Sequence, residues 1–117
     1  MLIVDDAPVF REVARELLEA RGYEVAGEAD SAAGALEAVE RLSPDAVMLD
    51  VQLPDGDGFE LSAMLARTVA APRVLLVSAD RTQPDPERLE SSKASGFALK
   101  TELGRTDLTA FWPEPRA

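Results

Sequence analysis

Three aspartates come directly after two short apolar runs of this chain. Asp5 and Asp6 follow residues 2–4, and Asp50 follows residues 46–49. A short continuous apolar run is typical of a strand buried on both faces, and parallel sheets of such strands bind ligands past their carboxyl ends. If the two strands are neighbours, the three carboxylates repel each other by roughly 4 kcal/mol per pair at 4 Å and an effective dielectric of 20. A hard cation such as Mg²⁺ would relieve this repulsion, because it prefers oxygen ligands.

Two further polar side chains follow predicted strands in the same way. Ser78 comes directly after the predicted strand at residues 73–77, and Lys100 comes after residues 97–99. Taken singly, each has an ordinary explanation, since a serine hydroxyl often bonds to nearby backbone and an aspartate often starts a turn or a helix. Five separate accidents at the same end of one sheet are improbable. We therefore expect one polar cluster at that edge. Its members are Asp5, Asp6, Asp50, Ser78 and Lys100.

Helical patterns separate the predicted strands. The first helix follows Asp6 and is ended by Gly22. Its apolar stripe is Phe10, Val13, Ala14, Leu17 and Leu18. Ser31 is the predicted N-cap of a second helix. Its stripe is Ala32, Ala35, Leu36, Val39 and Leu42. After a turn at residues 53–58, the third helix directs three apolar side chains inward. They are Leu61, Leu65 and Val69.

The remaining elements complete an alternation of five strands with five helices. Residues 23–28 have mixed polarity, which indicates an edge strand. Proline is tolerated in the first turn of a helix but not in its interior, so the fourth helix is short, at residues 86–94. Residues 101–112 leave room for one last short helix. Such alternation predicts an α/β fold with a doubly wound parallel sheet, right-handed crossovers and helices on both faces.

Composition excludes several classes of site. The 117 residues predict one domain, and they contain no cysteine and no histidine. This excludes disulfides, the usual zinc sites, thiol nucleophiles and a Ser-His-Asp triad. The net charge of −10 argues against direct nucleic-acid binding by this chain. No apolar run approaches a membrane span, and no signal peptide is visible, so we expect no membrane association.

The sequence resembles the receiver domain of bacterial two-component response regulators, a CheY-like family. Four segments carry the resemblance: LIVDD at residues 2–6, VMLDVQLPDGDG at 47–58, VLLVSA at 74–79 and SGFALK at 95–100. The separations agree as well, with 28 residues from Asp50 to Ser78 and 22 from Ser78 to Lys100. The resemblance implies a flavodoxin-like fold with strand order 2-1-3-4-5. It covers essentially the whole chain, as a single receiver domain at residues 1–117 with no effector domain.

The resemblance also implies a role for each residue of the cluster. Asp50 would accept a phosphoryl group from a sensor histidine kinase, and Lys100 would pair with Asp50 before the transfer. Ser78 would bond to a phosphoryl oxygen afterwards. Four groups would hold Mg²⁺, for which Mn²⁺ could substitute. They are the side chains of Asp5, Asp6 and Asp50 and the backbone carbonyl of Gln52.

A conformational switch would follow, in which Ser78 moves and Phe97 turns inward. The implied function is a phosphorylation-activated signalling switch of a two-component phosphorelay, which catalyses only its own phosphorylation and dephosphorylation. Its implied partners are the sensor histidine kinase and a homodimer partner or a downstream effector protein, in the cytoplasm. The opening residues LIVDDAPVFR resemble receivers that precede a helix-turn-helix domain, so transcription regulation is one possible output.

The chain departs from the family pattern at three places. Thr101 replaces the proline that usually follows the lysine, so we expect a trans bond between Lys100 and Thr101. Ser78 replaces the commoner threonine. The prolines at 84 and 86 shorten the fourth helix, which predicts that the usual symmetric dimer is weakened or replaced.

Other functions are compatible with parts of the pattern. A degenerate receiver that acts as a protein-interaction module remains the main alternative. A haloacid-dehalogenase-like phosphatase would need an Asp-x-Asp motif and room for a cap. An EF-hand starting at Asp55 is excluded, because its twelfth position is Ala66 rather than glutamate.

Overall fold

The computed structural model describes residues 1–81 and 84–112. Apart from a short hairpin after the third strand, strands and helices alternate until the last strand. The strands are β1 (Leu2–Val4), β2 (Gly27–Ala29), β3 (Ala46–Asp50), β4 (Gln52–Leu53), β5 (Gly56–Asp57), β6 (Arg73–Ser78) and β7 (Gly96–Leu99). The α-helices are α1 (Pro8–Ala20), α2 (Ala32–Leu42), α3 (Gly58–Leu65) and α4 (Pro86–Ser91). Two 3₁₀ helices follow, η1 (Lys100–Arg105) and η2 (Leu108–Ala110).

Five strands form one parallel sheet in the order β2-β1-β3-β6-β7. In β1, Val4 lies opposite Leu49 of β3, and in β3 Asp50 lies opposite Val77 of β6. The carboxyl ends of the three central strands therefore lie side by side. This order is the predicted 2-1-3-4-5 order of the five main strands. A small antiparallel hairpin of β4 and β5 begins two residues after Asp50. The sequence predicted only a turn in this region.

The sheet separates two apolar clusters, as expected for helices on both faces. The α1-side cluster joins the sheet to α1 and to the C-terminal segment, and it includes Ile3, Leu18, Met48, Leu75 and Trp112. The α2-side cluster joins the other face to α2 and α3, and it includes Val4, Val39, Leu49, Leu61 and Leu76. Alternate residues of each central strand enter opposite clusters, because successive side chains of a strand point to opposite faces.

Two helix boundaries agree with their sequence signals. Gly22 has a φ of 89°, the left-handed conformation that glycine adopts freely, directly after α1. The hydroxyl of Ser31 accepts a hydrogen bond of 3.0 Å from the amide of Gly34, as the predicted N-cap of α2 requires.

The predicted edge strand at residues 23–28 is shifted, since β2 comprises Gly27–Ala29. The amide of Tyr23 donates to the carbonyl of Leu18, so it completes the end of α1 instead of a sheet. The amide of Ala26 donates to the carbonyl of Met1 and starts the approach to the sheet. The polarity of the side chains does not show that the end of α1 takes up the amide of Tyr23. The predicted strand therefore started too early.

Two predicted inward side chains are exposed. Val13 is 55% exposed, because it lies about 100° around α1 from the buried Ala14, beyond the edge of the stripe. Val69 is fully exposed, because α3 ends at Leu65. The hydroxyl of Thr68 donates to the carbonyl of Leu65 at 2.6 Å and closes the helix end before Val69 is reached.

The last two predicted helices are also changed. The fourth helix ends at Ser91 rather than at residue 94, and the hydroxyl of Ser92 bonds to the carbonyl of Leu89 at that end. The last helix is replaced by the 3₁₀ helices η1 and η2. The guanidinium of Arg21 donates to the carbonyl of Gly104 at 2.8 Å, and Trp112 Nε1 donates to the carbonyl of Arg73 at 3.1 Å. These contacts hold the segment against the α1 side of the sheet.

Within the described ranges, none of the helices is both long and apolar enough to cross a membrane.

Candidate functional site

Three carboxylates meet at the carboxyl edge of the sheet. Asp5 follows β1, Asp6 comes next, and Asp50 is the last residue of β3. One carboxylate oxygen from each lies within 4.8 Å of the others. Asp5 and Asp50 are buried, whereas Asp6 is exposed. The predicted convergence of the three aspartates is therefore confirmed.

Three hydrogen bonds fix Asp5 in place. Its Oδ1 accepts a hydrogen bond of 2.8 Å from the amide of Ala7. Its backbone amide donates to the carbonyl of Ala29 in the neighbouring strand, at 3.0 Å. Its own carbonyl accepts from the guanidinium of Arg11 at 2.6 Å. The turn between β1 and α1 therefore presents this carboxylate in one orientation.

Asp50 is held by the start of the hairpin that follows it. Its Oδ1 accepts a bond of 3.0 Å from the amide of Gln52, and its Oδ2 accepts one of 3.1 Å from Lys100 Nζ. Burial raises the pKa of Asp50 above its usual value, the Gln52 amide opposes that change, and the Asp5 charge adds to it. Lys100 also opposes the rise. Burial is thus the main influence on the pKa of this carboxyl group, and its neighbours modify that influence.

Gly58 gives the hairpin its close approach to Asp50. A Cβ at this position would lie 2.3 Å from the backbone carbonyl oxygen of Asp50, which no side chain can do without a shift of the backbone. The amide of Gly58 donates to the carbonyl of Val51 at 2.9 Å. The glycine therefore lets α3 start directly beside the acidic residue.

Lys100 bridges two of the carboxylates. Its Nζ lies 2.6 Å from Asp5 Oδ2 and 3.1 Å from Asp50 Oδ2. Burial lowers the pKa of Lys100, but bonds to Asp5 and Asp50 outweigh it, and the pKa is raised overall. The family resemblance implied the pair with Asp50, whereas the shorter pair with Asp5 was not predicted. No sequence signal indicated it, because β7 and β1 are separated by two strands.

Phe10 is a second neighbour that the sequence analysis missed. Lys100 Nζ lies 4.4 Å from the centroid of the Phe10 ring, a cation–π distance. The sequence placed Phe10 in the apolar stripe of α1, where it does pack against the α1-side cluster. Its position in the first turn of the helix also brings the ring to the edge of the site.

Ser78 ends β6 beside the carboxylates. It is 5% exposed, and its Oγ accepts a hydrogen bond of 3.0 Å from the amide of Asp80. A cavity of about 400 Å³, here called the site cavity, opens between these groups. Asp6, Asp50, Ser78 and Lys100 all line it, together with Gln52. Four of the five predicted cluster residues therefore line one open space, and the fifth, Asp5, is buried and pairs with Lys100.

A second cavity extends from Ser78 between α3 and α4. This α3–α4 cavity of about 610 Å³ is also lined by Phe97, which is half-buried on β7. Arg88 of α4 spans it: its guanidinium forms an ion pair with Asp57 and lies 4.6 Å from the centroid of the Phe59 ring. Ser78 is therefore shared by the two cavities.

Residues 1–110 match the family model described as the response regulator receiver domain. The chain belongs to this family. It is a receiver domain of the kind found in two-component response regulators, and a receiver is a signalling module. As in the prediction, its Lys100–Thr101 peptide bond is trans.

Curated relatives of the receiver are longer proteins. It is 39% identical to a protein-glutamate methylesterase/protein-glutamine glutaminase of Halobacterium salinarum, over 90% of this chain and 30% of that protein. It is 33% identical to response regulator GacA of Pseudomonas aeruginosa, over 86% of this chain and 47% of that protein. The chain thus spans half or less of these relatives.

Solved structures agree with the fold. A LuxR-family two-component response regulator from Aurantimonas is 30% identical, with a TM-score of 0.80, and the match covers 89% of this chain and 75% of the other. A CheY-like receiver domain protein from Methanospirillum hungatei is 25% identical, with a TM-score of 0.78, and the match covers 89% of this chain and 82% of the other.

Proposed function

We propose that this receiver is a phosphorylation-activated switch in which Asp50 is the phosphoacceptor. The observation that supports it most directly is the position of Asp50, a buried carboxylate that lines an open cavity with Lys100 at one oxygen. In the transfer, an Asp50 oxygen bonds to phosphorus while the bond from phosphorus to the histidine nitrogen of the sensor kinase breaks. The electron pair of that bond stays on the imidazole, and Asp50 becomes an acyl phosphate.

The three aspartates suit a divalent cation. Their oxygens are hard ligands within 4.8 Å of one another, and a single lysine balances them incompletely. Asp5, Asp6, Asp50 and the backbone carbonyl of Gln52 would hold Mg²⁺, with Mn²⁺ as a substitute. When bound, the cation would neutralise charge on the phosphoryl oxygens.

Lys100 and Ser78 would complete the electrostatics of the transfer. Phosphoryl transfer spreads negative charge over the oxygens of the group, so catalysis depends on positioned positive charge and hydrogen-bond donors. Lys100 orients the Asp50 carboxylate first and then follows the new charge. The Ser78 hydroxyl, which now accepts from the amide of Asp80, would turn to donate to a phosphoryl oxygen.

The same rearrangement would operate the switch. Movement of Ser78 shifts the start of the loop after β6, and the α3–α4 cavity gives the Phe97 ring a place to enter. Such a two-state element is biased by a local change of charge. A phosphoryl mimic such as beryllofluoride should therefore change the NMR signals of Phe97, and unchanged signals would contradict this part of the proposal.

The partners follow from the function. A sensor histidine kinase supplies the phosphoryl group, and a second copy or a downstream effector protein receives the signal. The net charge of −10 opposes direct nucleic-acid binding by this chain. By itself the receiver would catalyse only its own phosphorylation and dephosphorylation.

Intact mass spectrometry after incubation with acetyl phosphate and Mg²⁺ tests the proposal. We expect a phosphoryl adduct on the wild type and on Asp30→Asn, a matched control in which the aspartate after the edge strand β2 is changed. We expect none on Asp50→Asn. A wild type that forms no adduct would favour the alternative, a degenerate receiver that acts as an interaction module.

A further inference from the structure

The Lys100 ammonium contacts two unlike kinds of group. Its Nζ lies 2.6 Å from Asp5 Oδ2 and 3.1 Å from Asp50 Oδ2, and it lies 4.4 Å from the centroid of the Phe10 ring. The lysine side chain is 16% exposed. The side chain is therefore largely enclosed, and the phenyl ring is an uncharged group beside its ammonium.

The backbone of Lys100 starts far from Asp50, so a neighbour that holds its long side chain in place is needed. Lys100 follows β7, at the edge of the sheet, and its ammonium must reach past β6 to Asp50 and Asp5. Its side chain has four rotatable bonds, and η1 begins at the same residue. The two carboxylates attract the ammonium, but Asp5 is nearer than Asp50 by 0.5 Å and draws it away from the acceptor.

We propose that Phe10 is a positioning residue that keeps the Lys100 ammonium beside Asp50. The role of Asp50 in this inference rests on the proposed function, whereas the contact between Phe10 and Lys100 does not depend on that function. The face of a phenyl ring carries partial negative charge and attracts an ammonium within about 6 Å of its centroid. The ring also excludes water from that side of the lysine, which strengthens the pair with Asp50.

The simpler explanation is that Phe10 serves the core alone. The ring is half-buried and packs against the α1-side cluster, so its removal would also loosen α1. The two explanations differ in what they require of the side chain. Core packing needs apolar volume, which leucine supplies in part, whereas positioning needs an aromatic face, which tyrosine retains and leucine lacks.

NMR of the Lys100 side chain tests whether the contact itself exists, without phosphorylation. The ring current of Phe10 should shift the Hε signals of Lys100 upfield in the wild type. We expect that shift to be lost in Phe10→Leu and retained in Phe10→Tyr. Phe111→Leu is the matched control, because Phe111 packs against the same cluster and should leave the shift unchanged. A shift that survives in Phe10→Leu overturns the proposal.

The rate of phosphorylation by acetyl phosphate measures the consequence. At saturating acetyl phosphate and Mg²⁺ we expect Phe10→Leu to react about three- to tenfold more slowly, with a similar half-saturating concentration, and Phe10→Tyr to keep most of the rate. Equal slowing in Phe10→Leu, Phe10→Tyr and Phe111→Leu would assign Phe10 to the core and overturn the proposal. A wild type that shows the ring-current shift but forms no adduct would instead contradict the proposed function of Asp50.

Discussion

At the scale of single residues, the polar cluster depends on opposite charges that different strands contribute. Asp5 and Asp50 are both buried and share one ammonium, that of Lys100. A carboxylate that loses its partner inside a protein retains the full cost of burial. Lys100 is therefore a structural counter-ion in the resting molecule as well as a participant in the proposed transfer.

Lys100→Met should destabilise the protein in the absence of divalent ions. We expect a loss of about 2 kcal/mol, less than for a fully buried pair because the lysine is partly exposed. Millimolar Mg²⁺ should restore more stability to the variant than to the wild type, since the lysine no longer competes for the carboxylates. Urea unfolding with and without Mg²⁺ measures both effects, with Lys93→Met as the control. An equal response to Mg²⁺ in all three proteins would contradict the prediction.

Gly58→Ala tests the close approach to Asp50. The new Cβ would meet the Asp50 carbonyl oxygen at 2.3 Å, so the backbone of β3 or α3 must move, at a cost of about 1–3 kcal/mol. Gly104→Ala is the matched control, because a Cβ there would meet no atom within 4 Å beyond the adjacent backbone. We expect a lower urea midpoint in Gly58→Ala alone. Equal midpoints for the two variants would show that the hairpin can adapt.

At the scale of elements, side chains from loops fasten neighbouring helices to the site. Asp55, in the turn of the β4–β5 hairpin, accepts bonds of 2.7 and 3.1 Å from the amides of Ala32 and Ala33 at the start of α2. Arg88 of α4 reaches Asp57, whose other oxygen caps α3 through the amide of Phe59 at 2.7 Å. The loop that follows Asp50 is thus connected to three helices.

Asp55→Ala should lower stability in a pH-dependent way. Bonds from the Ala32 and Ala33 amides lower the pKa of Asp55, so its contribution is fully present above the ordinary aspartate pKa of about 3.9. The contribution is lost as the pH falls through the lowered pKa. The difference in urea midpoint between wild type and variant should therefore be constant near neutral pH and decrease in acid. Asp30→Ala, at an exposed position before α2, is the control, and a constant difference down to pH 2 would contradict the assignment.

Arg88→Ala should loosen α4. The Arg88 side chain is 55% exposed, so its ion pair and its contact with Phe59 together stabilise the helix by about 0.5–1 kcal/mol. This corresponds to roughly two- to fivefold faster hydrogen exchange of the α4 amides. Glu90→Ala, on the same helix, controls for the change in helix composition. Equal exchange in the two variants would mean that Arg88 does not hold α4 to α3.

At the scale of the whole molecule, the C-terminal segment completes one face of the sheet. Trp112 is buried in the α1-side cluster, and its ring lies edge-on to Tyr23 with centroids 5.9 Å apart. Its Nε1 bonds to the carbonyl of Arg73, at the start of β6. The segment therefore covers the sheet without a regular α-helix, and the surface that it presents differs from that of a receiver with a full last helix.

Trp112→Ala should remove a large part of the total stability. Loss of a buried tryptophan costs about 3–5 kcal/mol, against the 5–15 kcal/mol that holds a domain together. Trp112→Phe keeps most of the apolar volume but loses the bond to Arg73, so its loss should be smaller. Urea unfolding followed by circular dichroism gives both values. If Trp112→Ala unfolds at the wild-type urea concentration, the segment does not contribute to the core.

The sequence by itself determined the parts of this protein that depend on local order. A polar residue directly after a buried strand lies at the carboxyl edge wherever that strand is placed, so Asp5, Asp6, Asp50, Ser78 and Lys100 could be assigned to one edge. The helix boundaries at Gly22 and Ser31 were also predicted, because one residue at each position ends or caps its helix. At Tyr23 and Thr68, a hydrogen bond to the preceding helix sets where an element begins or ends. The sequence pattern predicted the wrong boundary at both places.

The tertiary structure decided the contacts between elements that are distant in the sheet. The pair of Lys100 with Asp5, the ring of Phe10 beside that ammonium and the reach of Arg88 to Asp57 each join residues from elements far apart in the chain. Long side chains make such contacts, and their reach depends on how the elements pack and not on the order of residues. The chemistry of the site was therefore encoded locally, whereas the electrostatic balance that holds the site at rest arises only when the sheet and helices are assembled.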